Sequence, residues 1–170
     1  SSPSGLTDMV VRVGRIYNYR TYPCYGDDES TKDSMPYKPI EDYGVIGDLH
    51  TVALVGTDGS IDWCCIPDFD SPSVFGSILD DQKGGLFKVS PIGDAIQRQM
   101  YHPDTNVLMT YFSDDQGVVL MEDFMPLSGV PRREGNPHQP MIIRRISAVR
   151  GHVRLKLECN PAFDYARSSH

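Results

Sequence analysis

The sequence predicts an all-β fold, an antiparallel β-sandwich with one short helix near residues 71–80. Apolar and polar residues alternate with a period of two through most of the chain after residue 36. The alternating runs are short, and Asp, Gly, Pro and Asn residues that favour turns separate them. Because strand follows strand with no room for crossover helices, this pattern favours a sandwich over a parallel α/β fold.

Residues 1–35 are predicted to be an N-terminal arm and an acidic linker. Residues 10–19 alternate weakly, as a short strand does. Residues 24–34 are rich in acidic and small polar side chains and contain almost nothing to bury, which is typical of a linker. The main domain is therefore expected over residues 36–170.

The clearest pair of strands spans residues 47–66, where two apolar runs flank Asp58-Gly59. An Asp-Gly pair tolerates positive φ, so it predicts a hairpin turn. Further strands are predicted at residues 95–102, 107–113, 118–127, 141–149 and 152–159. In the last of these, apolar and charged side chains alternate, which predicts one face on the core and one in solvent.

The single predicted helix lies near residues 71–80. Ser71 and Pro72 are residue types that begin helices, and Gly84 is a type that ends them. An apolar stripe at helical spacing supports the prediction; it comprises Val74, Phe75, Ile78 and Leu79.

Charge and hydropathy exclude several classes of function. The chain has 16 basic and 23 acidic residues, a net charge of −7, which argues against a nucleic-acid-binding protein. Residues 1–131 hold 8 basic and 20 acidic side chains, whereas residues 132–170 hold 8 basic and 3 acidic. We interpret the basic segment as solvated strand faces and not as a phosphate-binding patch. No apolar run approaches the roughly 20 residues that cross a bilayer, and no secretory leader is visible, so a soluble domain of unknown compartment is expected.

Neither a cofactor nor a metal site is predicted. The four cysteines show no CxxC and no Cys/His spacing suited to zinc. A phosphate-binding glycine loop, HExxH and GxSxG are all absent from the sequence. Cys64 and Cys65 are expected on opposite faces of a strand, with at least one in the core. A disulfide between Cys24 and Cys159 stays open.

Carboxylates and aromatic rings alternate between Asp62 and Asp70, and they form the candidate site together with Trp63, Asp68 and Phe69. Asp68 and Asp70 lie too close on one loop to bracket a sugar as two catalytic carboxylates do. The spacing also differs from that of an EF-hand calcium loop. No catalytic residue is therefore assigned, and the five residues are expected to contact a substrate at the mouth of a site or a neighbouring domain.

Residues 39–81 closely resemble the start of the bacterial-type glycoside hydrolase family 15 proteins, the glucoamylase and trehalase-like group. The pattern that carries the resemblance is IGD…ALV…DGSIDW…P.FDSPS.F. Residues 101–127 and 144–167 resemble later parts of the same domain. The resemblance implies the N-terminal β-sandwich of that family, called a super-sandwich, which precedes an (α/α)6 barrel.

The resemblance also implies where the chemistry takes place. In this family two glutamates of the barrel hydrolyse an α-glucosidic bond with inversion. This chain corresponds to the sandwich, truncated at or before its C-terminal end, so no catalytic glutamate is carried over. Asp68 stands where the family often has a basic residue, and Ala162 stands where an arginine is common. These departures leave the choice between trehalase and glucoamylase specificity open.

Three functions are considered on this basis. The favoured one is a non-catalytic domain that packs on the catalytic barrel of the same longer chain and helps to shape its active-site mouth. The second is a free-standing module that binds an α-glucoside. The third is an interaction protein that associates with itself or with another chain. Neither nucleic acid nor membrane is expected as a partner.

Overall fold

The computed structural model describes residues 37–127 and 140–167 in full and residues 8–13 by their backbone. These ranges contain eleven strands: β1 (Asp8–Val13), β2 (Tyr43–Gly47), β3 (Val52–Gly56), β4 (Ser60–Cys65), β5 (Ser73–Phe75), β6 (Leu86–Pro91), β7 (Ile96–Tyr101), β8 (Leu108–Ser113), β9 (Gly117–Phe124), β10 (Ile142–Gly151) and β11 (Leu155–Asn160). A 3-10 helix at Ile40–Asp42 and one helical turn, α1 (Phe163–Ala166), are the helical elements of the same ranges.

The strands form two antiparallel sheets. The five-stranded sheet has the order β1-β10-β9-β8-β7, and the six-stranded sheet has the order β11-β6-β4-β3-β2 with β5 beside β4. Side chains from both sheets pack together in one core, which includes Ile46, Val55, Ile61, Phe87, Phe112, Met121 and Ile142. The predicted fold class, an all-β antiparallel sandwich, is confirmed.

The hairpin predicted at residues 47–66 is confirmed as β3 and β4. Its turn requires glycine at position 59, because Gly59 has a φ of 82° and a Cβ there would meet the carbonyl oxygen of Val89. The strands predicted between residues 95 and 149 are confirmed as β7 to β10. β2, β5 and β6 were not predicted from the sequence.

The last predicted strand is present as β11, but it is more exposed than its alternation predicts. Leu157 lies opposite Val89, and Cys159 lies opposite Phe87, so both belong to the core-facing side. Leu157 nevertheless remains 47% exposed, because β11 is an edge strand of the six-stranded sheet. Alternation reports the face of a strand, whereas burial depends on what covers that face.

The helix predicted near residues 71–80 is wrong. Ser73–Phe75 forms β5, in which Phe75 lies opposite Cys64 of β4. The chain then loops back, and the Gly76 N–H donates to the carbonyl oxygen of Gly84 over 2.7 Å. Burying all three residues of β5 in the sheet outweighs the weak helix propensity of this short segment.

The interpretation of the basic segment as solvated strand faces is wrong for Arg144. Arg144 on β10 and Asp123 on β9 lie opposite each other and are fully buried. Arg144 Nε is 2.7 Å from Asp123 Oδ1, and Nη2 is 3.0 Å from Oδ2. The third nitrogen, Nη1, donates to the carbonyl oxygen of Phe87 on β6, and the guanidinium stacks 4.9 Å from the ring centre of Phe87. Arg144 thus connects the two sheets through the core.

The neighbouring basic side chain fits the interpretation. Arg145 is half-exposed and forms a surface ion pair with Glu122, with 2.7 Å between Nε and Oε2. Successive residues of a strand point to opposite faces, so the pair Arg144-Arg145 places one guanidinium in the core and one in solvent.

The domain boundary predicted at residue 36 stays a prediction. β1 pairs with β10, so the segment assigned to the N-terminal arm contributes a strand to the five-stranded sheet. The linker predicted at residues 24–34 lies outside the described residues. Within the described ranges, the structure contains no helix whose length and hydropathy would let it cross a membrane.

Replacing Asp123 by Ala should lower the free energy of unfolding by about 3–5 kcal/mol, because the buried Arg144 loses its counter-charge. Replacing Glu122 by Ala breaks only the half-exposed pair with Arg145 and should cost less than about 1 kcal/mol. Urea unfolding followed by circular dichroism measures both values. Equal losses of unfolding free energy in the two variants would show that the buried ion pair stabilises the fold no more than the surface pair does.

Candidate functional site

The structure places the five candidate residues along one stretch of the six-stranded sheet. Asp62 and Trp63 are the two middle residues of β4, and Asp68, Phe69 and Asp70 belong to the loop that follows it. The environments of the five residues differ strongly.

Asp62 is buried, and its carboxylate is held by four hydrogen bonds. Oδ2 accepts from Lys38 Nζ at 2.6 Å, from the Tyr43 hydroxyl at 2.8 Å and from Ser60 Oγ at 2.9 Å. Oδ1 accepts from Ser77 Oγ at 2.9 Å. Because its lone pairs are used in this way, the Asp62 carboxylate holds the neighbouring side chains in place and is not available to a ligand.

Asp58 extends this arrangement into a charged cluster. Its carboxylate lies 2.7 Å from Lys88 Nζ and 3.3 Å from Lys38 Nζ. Ser60 Oγ lies 2.8 Å from it, so the single hydroxyl proton of Ser60 is shared between the carboxylates of Asp58 and Asp62. Lys38 therefore bridges the carboxylates of Asp58 and Asp62. We call the set the Asp58–Asp62 network; its members are Lys38, Tyr43, Asp58, Ser60, Asp62, Ser77 and Lys88.

The network shifts the acidity of two of its members. Burial alone would raise the pKa of Asp58, but the Lys88 hydrogen bond and the charge of Lys38 outweigh burial and lower the pKa to about 2. Burial, together with the hydrogen bond to Asp62, raises the pKa of Tyr43 above its ordinary range. Asp58 is thus charged and Tyr43 neutral at physiological pH, so neither is poised to exchange a proton near pH 7.

Trp63 lies on the outer face of the six-stranded sheet. It pairs with Leu54, and Leu54 pairs with Val45, so the three side chains form a row across β4, β3 and β2. Their neighbours Ala53 and Cys64 belong to the core, which places the row on the opposite face. A register shift between Leu54 and the next residue of β3 marks a β-bulge at this point.

Tyr165, which no sequence pattern predicts as a site residue, extends the row. Its ring lies 6.1 Å from that of Trp63 at an interplanar angle of 43°. Asp164, Tyr165 and Ala166 all have φ between 51° and 61°, so α1 is a left-handed turn of non-glycine residues. That conformation is unfavourable for such residues, and the Tyr165 N–H is anchored on Ser73 Oγ at 3.2 Å.

Phe69 lies in a different environment, at the tips of two adjacent loops. Phe69 is 70% exposed, and its N–H donates to the carbonyl oxygen of His50 at 3.0 Å. The neighbouring Leu49 is 91% exposed and has a φ of 73°. Asp48 Oδ1 holds that turn by accepting from the N–H groups of His50 and Thr51. We call Leu49 and Phe69 the apolar tip.

Asp68 and Asp70 flank Phe69 in this loop. Asp70 is exposed, and no helix follows it over residues 71–80. The Asp68 N–H donates to Ser71 Oγ at 3.1 Å, and the Ser71 N–H donates to the carbonyl oxygen of Asp68 at 3.0 Å. These bonds close a tight turn.

In the part of the chain that the structure describes, few residues are candidates for metal binding or redox chemistry. No group of three or more His, Cys, Asp and Glu side chains there is arranged to hold a metal ion. Cys64 and Cys65 are both buried, and burial raises the pKa of the Cys64 thiol to about 12, which keeps it protonated. Cys24 lies outside the described residues, so its pairing with Cys159 stays open.

The sequence signals for the missed residues are weak. Leu49 lies between Asp48 and His50. An Asp whose carboxylate accepts from the N–H groups two and three residues later is a turn signal, but the apolar side chain of Leu49 obscures it. Tyr165 lies more than 100 residues from Trp63 in sequence, so no local pattern reveals their contact.

Replacing Asp58 by Asn should remove part of the acid sensitivity of folding. The folded pKa of Asp58 lies near 2, below the ordinary 3.8, so its stabilising contribution is complete above pH 3.8 and is lost as pH falls through 2. The variant should lose roughly 1–2 kcal/mol near neutral pH and show a flatter decline between pH 4 and 2. Urea midpoints measured across pH test this, with Asp70→Asn as the exposed control. An unchanged pH profile in Asp58→Asn would contradict the role of the network.

Comparison with known proteins identifies relatives over most of the chain. The chain is 35% identical over 146 residues to a trehalase of Mycolicibacterium smegmatis, covering 79% of this chain and 22% of the relative. It is 33% identical over 144 residues to a trehalase of Mycobacterium tuberculosis, covering 78% of this chain and 21% of the relative. It is 36% identical over 134 residues to a trehalase of Thermoplasma volcanium, covering 77% of this chain and 21% of the relative. The chain therefore spans about a fifth of the length of these curated relatives.

No solved structure matches the chain. The family model described as trehalase-like, N-terminal matches residues 34–169, which include ten of the eleven strands of both sheets. The chain accordingly belongs to the trehalase-like N-terminal domain family.

Proposed function

We propose that this chain is the non-catalytic N-terminal domain of a trehalase-like α-glucoside hydrolase, and that it packs against the catalytic (α/α)6 barrel of the same longer protein. The observation that carries the proposal is the match to trehalases over about a fifth of their length, because the remaining length is ample for a catalytic domain. The resemblance to glycoside hydrolase family 15 implies that the catalytic glutamates would lie in that barrel.

The environment of Asp62 supports a non-catalytic role. An inverting glycosidase needs two carboxylates about 6.5–9.5 Å apart that face a shared cleft. The carboxylate of Asp62 is buried and fully engaged by hydrogen bonds, whereas Asp70 is exposed on a loop. Two groups in such different surroundings do not form an acid and base pair around a sugar.

The apolar tip is the surface that we assign to the barrel. Leu49 and Phe69 are held by backbone hydrogen bonds on adjacent loops and expose most of their side chains. Holding a non-glycine residue at positive φ is unfavourable, so a large apolar side chain displayed in this way favours a contact role. With Asp68 and Asp70 beside it, the tip would shape the mouth of the active site in the assembled enzyme.

The isolated 170-residue chain should release no glucose from trehalose or maltooligosaccharides. It would lack both catalytic glutamates, so a coupled glucose assay should read the same before and after heat inactivation. Hydrolysis that disappears on heating and in an Asp68→Asn, Asp70→Asn double variant would overturn the proposal. Sequencing the transcript beyond the codon for His170 is the independent check, since a stop codon there would also contradict it.

A second candidate function, carbohydrate binding, is favoured by one observation. Trp63 and Tyr165 form an aromatic pair on the outer face of the six-stranded sheet, in the same row as the exposed Val45. Aromatic side chains combine a flat apolar surface with polar edges, which suits the apolar face of a pyranose ring. Under this function the chain would bind an α-glucoside without the barrel.

Tryptophan fluorescence distinguishes the two functions, because Trp63 is the sole tryptophan of the sequence. The packing proposal predicts that trehalose and maltooligosaccharides leave the emission of the isolated chain unchanged. Carbohydrate binding predicts a saturable change that Tyr165→Ala weakens and that Asp94→Asn, an exposed substitution elsewhere, leaves intact.

A further inference from the structure

The outer face of the five-stranded sheet is largely apolar. In β8 and β9 every second side chain belongs to the core, and the side chains between them point away from the six-stranded sheet. Most of these outward side chains are apolar as well. An antiparallel strand with one face in water normally alternates apolar and polar residues, whereas apolar residues on both faces are typical of a strand that is covered on both sides.

Six side chains of this face form what we call the outer patch. It consists of three cross-strand pairs: Met100 with Met109, Tyr111 with Leu120, and Phe124 with Ile143. Met109 connects the pairs, because it lies next to Tyr111 along β8 and diagonal to Phe124 on β9. Met100 is 49% exposed, and the other five side chains are half-buried. The patch is therefore continuous across four strands, β7 to β10.

The outer patch reaches the end of the sandwich that carries the apolar tip. Asn106, in the loop between β7 and β8, donates from Nδ2 to the carbonyl oxygen of Gly47 at 2.9 Å. Gly47 is the last residue of β2 and lies two residues before Leu49 of the tip. Met100 and Phe124 are at the ends of β7 and β9 that adjoin this loop. A single partner can therefore contact both the tip and the patch.

We propose that the catalytic part of the same longer chain packs on the outer patch as well as on the apolar tip. This inference rests on the proposed function and names the surface that the packing uses. The matched trehalases extend beyond the matched part by about four fifths of their length, so a partner of sufficient size is available in the same chain. A stable interface takes about 20–30 residues from each partner, and the two residues of the tip are too few. The outer patch supplies the apolar area that the tip lacks.

The charges beside the outer patch define the surface that would cover it. Glu122 lies opposite Met109 and pairs with Arg145, with 2.7 Å between Oε2 and Nε, so these two charges compensate each other. Arg98 on the edge strand β7 is exposed and lies opposite Tyr111. A guanidinium enclosed by an interface needs a counter-charge. The covering surface is therefore expected to be apolar, with a carboxylate near Arg98.

Methionine oxidation measures whether the outer patch is covered. Hydrogen peroxide oxidises an accessible methionine to its sulfoxide, and the rate follows exposure. In the isolated 170-residue chain Met100 should react, whereas Met121 and Met125, which are at most 2% exposed, should be protected. In the longer protein Met100 should react at least about fivefold more slowly than in the isolated chain. Tandem mass spectrometry assigns each sulfoxide, and the urea-unfolded chain is the fully exposed reference.

A lysine in the outer patch should uncover it. Met109→Lys places an ammonium group opposite Glu122, where it finds a counter-charge, so the domain itself should stay folded. In the longer protein this variant should raise the reactivity of Met100 to about that in the isolated chain, because the new charge would have to be buried under the partner.

Ile92→Lys is the matched control, because it also replaces an exposed apolar side chain by lysine. Ile92 is 57% exposed and follows β6 at the opposite end of the sandwich, so this variant should leave Met100 of the longer protein protected. Circular dichroism checks that both variants are folded. Their comparison is made within the longer protein and does not require the isolated chain to fold.

The possible failures are distinguishable. If Met100 reacts as fast in a longer protein that hydrolyses trehalose as it does in the urea-unfolded reference, the inference is wrong and the proposed function stands. A stop codon after His170 would overturn both. Protection of Met100 that grows with the concentration of the isolated chain would assign the outer patch to a second copy and would overturn the inference. Equal effects of Met109→Lys and Ile92→Lys on Met100 would also contradict it.

Discussion

The buried ion pair between Arg144 and Asp123 is the constraint on which the arrangement of the two sheets depends. It joins neighbouring strands of the five-stranded sheet, and its remaining nitrogen bonds to the backbone of β6 in the other sheet. Apolar packing is non-directional. The three hydrogen bonds of the Arg144 guanidinium and its stacking on the Phe87 ring are directional, so they define how the sheets align. A guanidinium in a dry core is tolerated because each of these contacts compensates its lost hydration.

Because the inner faces of both sheets pack in the core, the candidate site residues lie on the outer face of the six-stranded sheet and in the loops beside it. The Asp58–Asp62 network uses its carboxylates to hold Lys38, Lys88 and Tyr43 in place. The charges of this network therefore stabilise local structure, and the exposed aromatic and apolar side chains lie elsewhere on the sheet and its loops. Trp63 with Tyr165, and Leu49 with Phe69, are two such surfaces, and both rely on left-handed backbone that hydrogen bonds hold. This combination favours presentation of a contact surface over catalysis.

Side chains close the β2 edge of the six-stranded sheet. Tyr101 on β7 bonds to both backbone groups of Val45, and that contact joins the two sheets at one side of the sandwich. Side chains that occupy the backbone groups of an edge strand prevent that strand from pairing with a further strand.

The sequence by itself determined the fold class, the hairpin around Gly59 and eight of the eleven described strands, because alternation and turn chemistry are local properties. It also carried the family pattern that the comparison confirmed over residues 34–169. Tertiary structure alone decided that Ser73–Phe75 pairs as a strand and not as a helix, since its pairing with β4 comes from outside the segment. It likewise placed Arg144 in the core and its neighbour Arg145 in solvent, and it brought Tyr165 onto Trp63. These outcomes depend on contacts between residues that are distant in sequence. The hydrophobic periodicity within one segment does not specify which distant segment will pack against it.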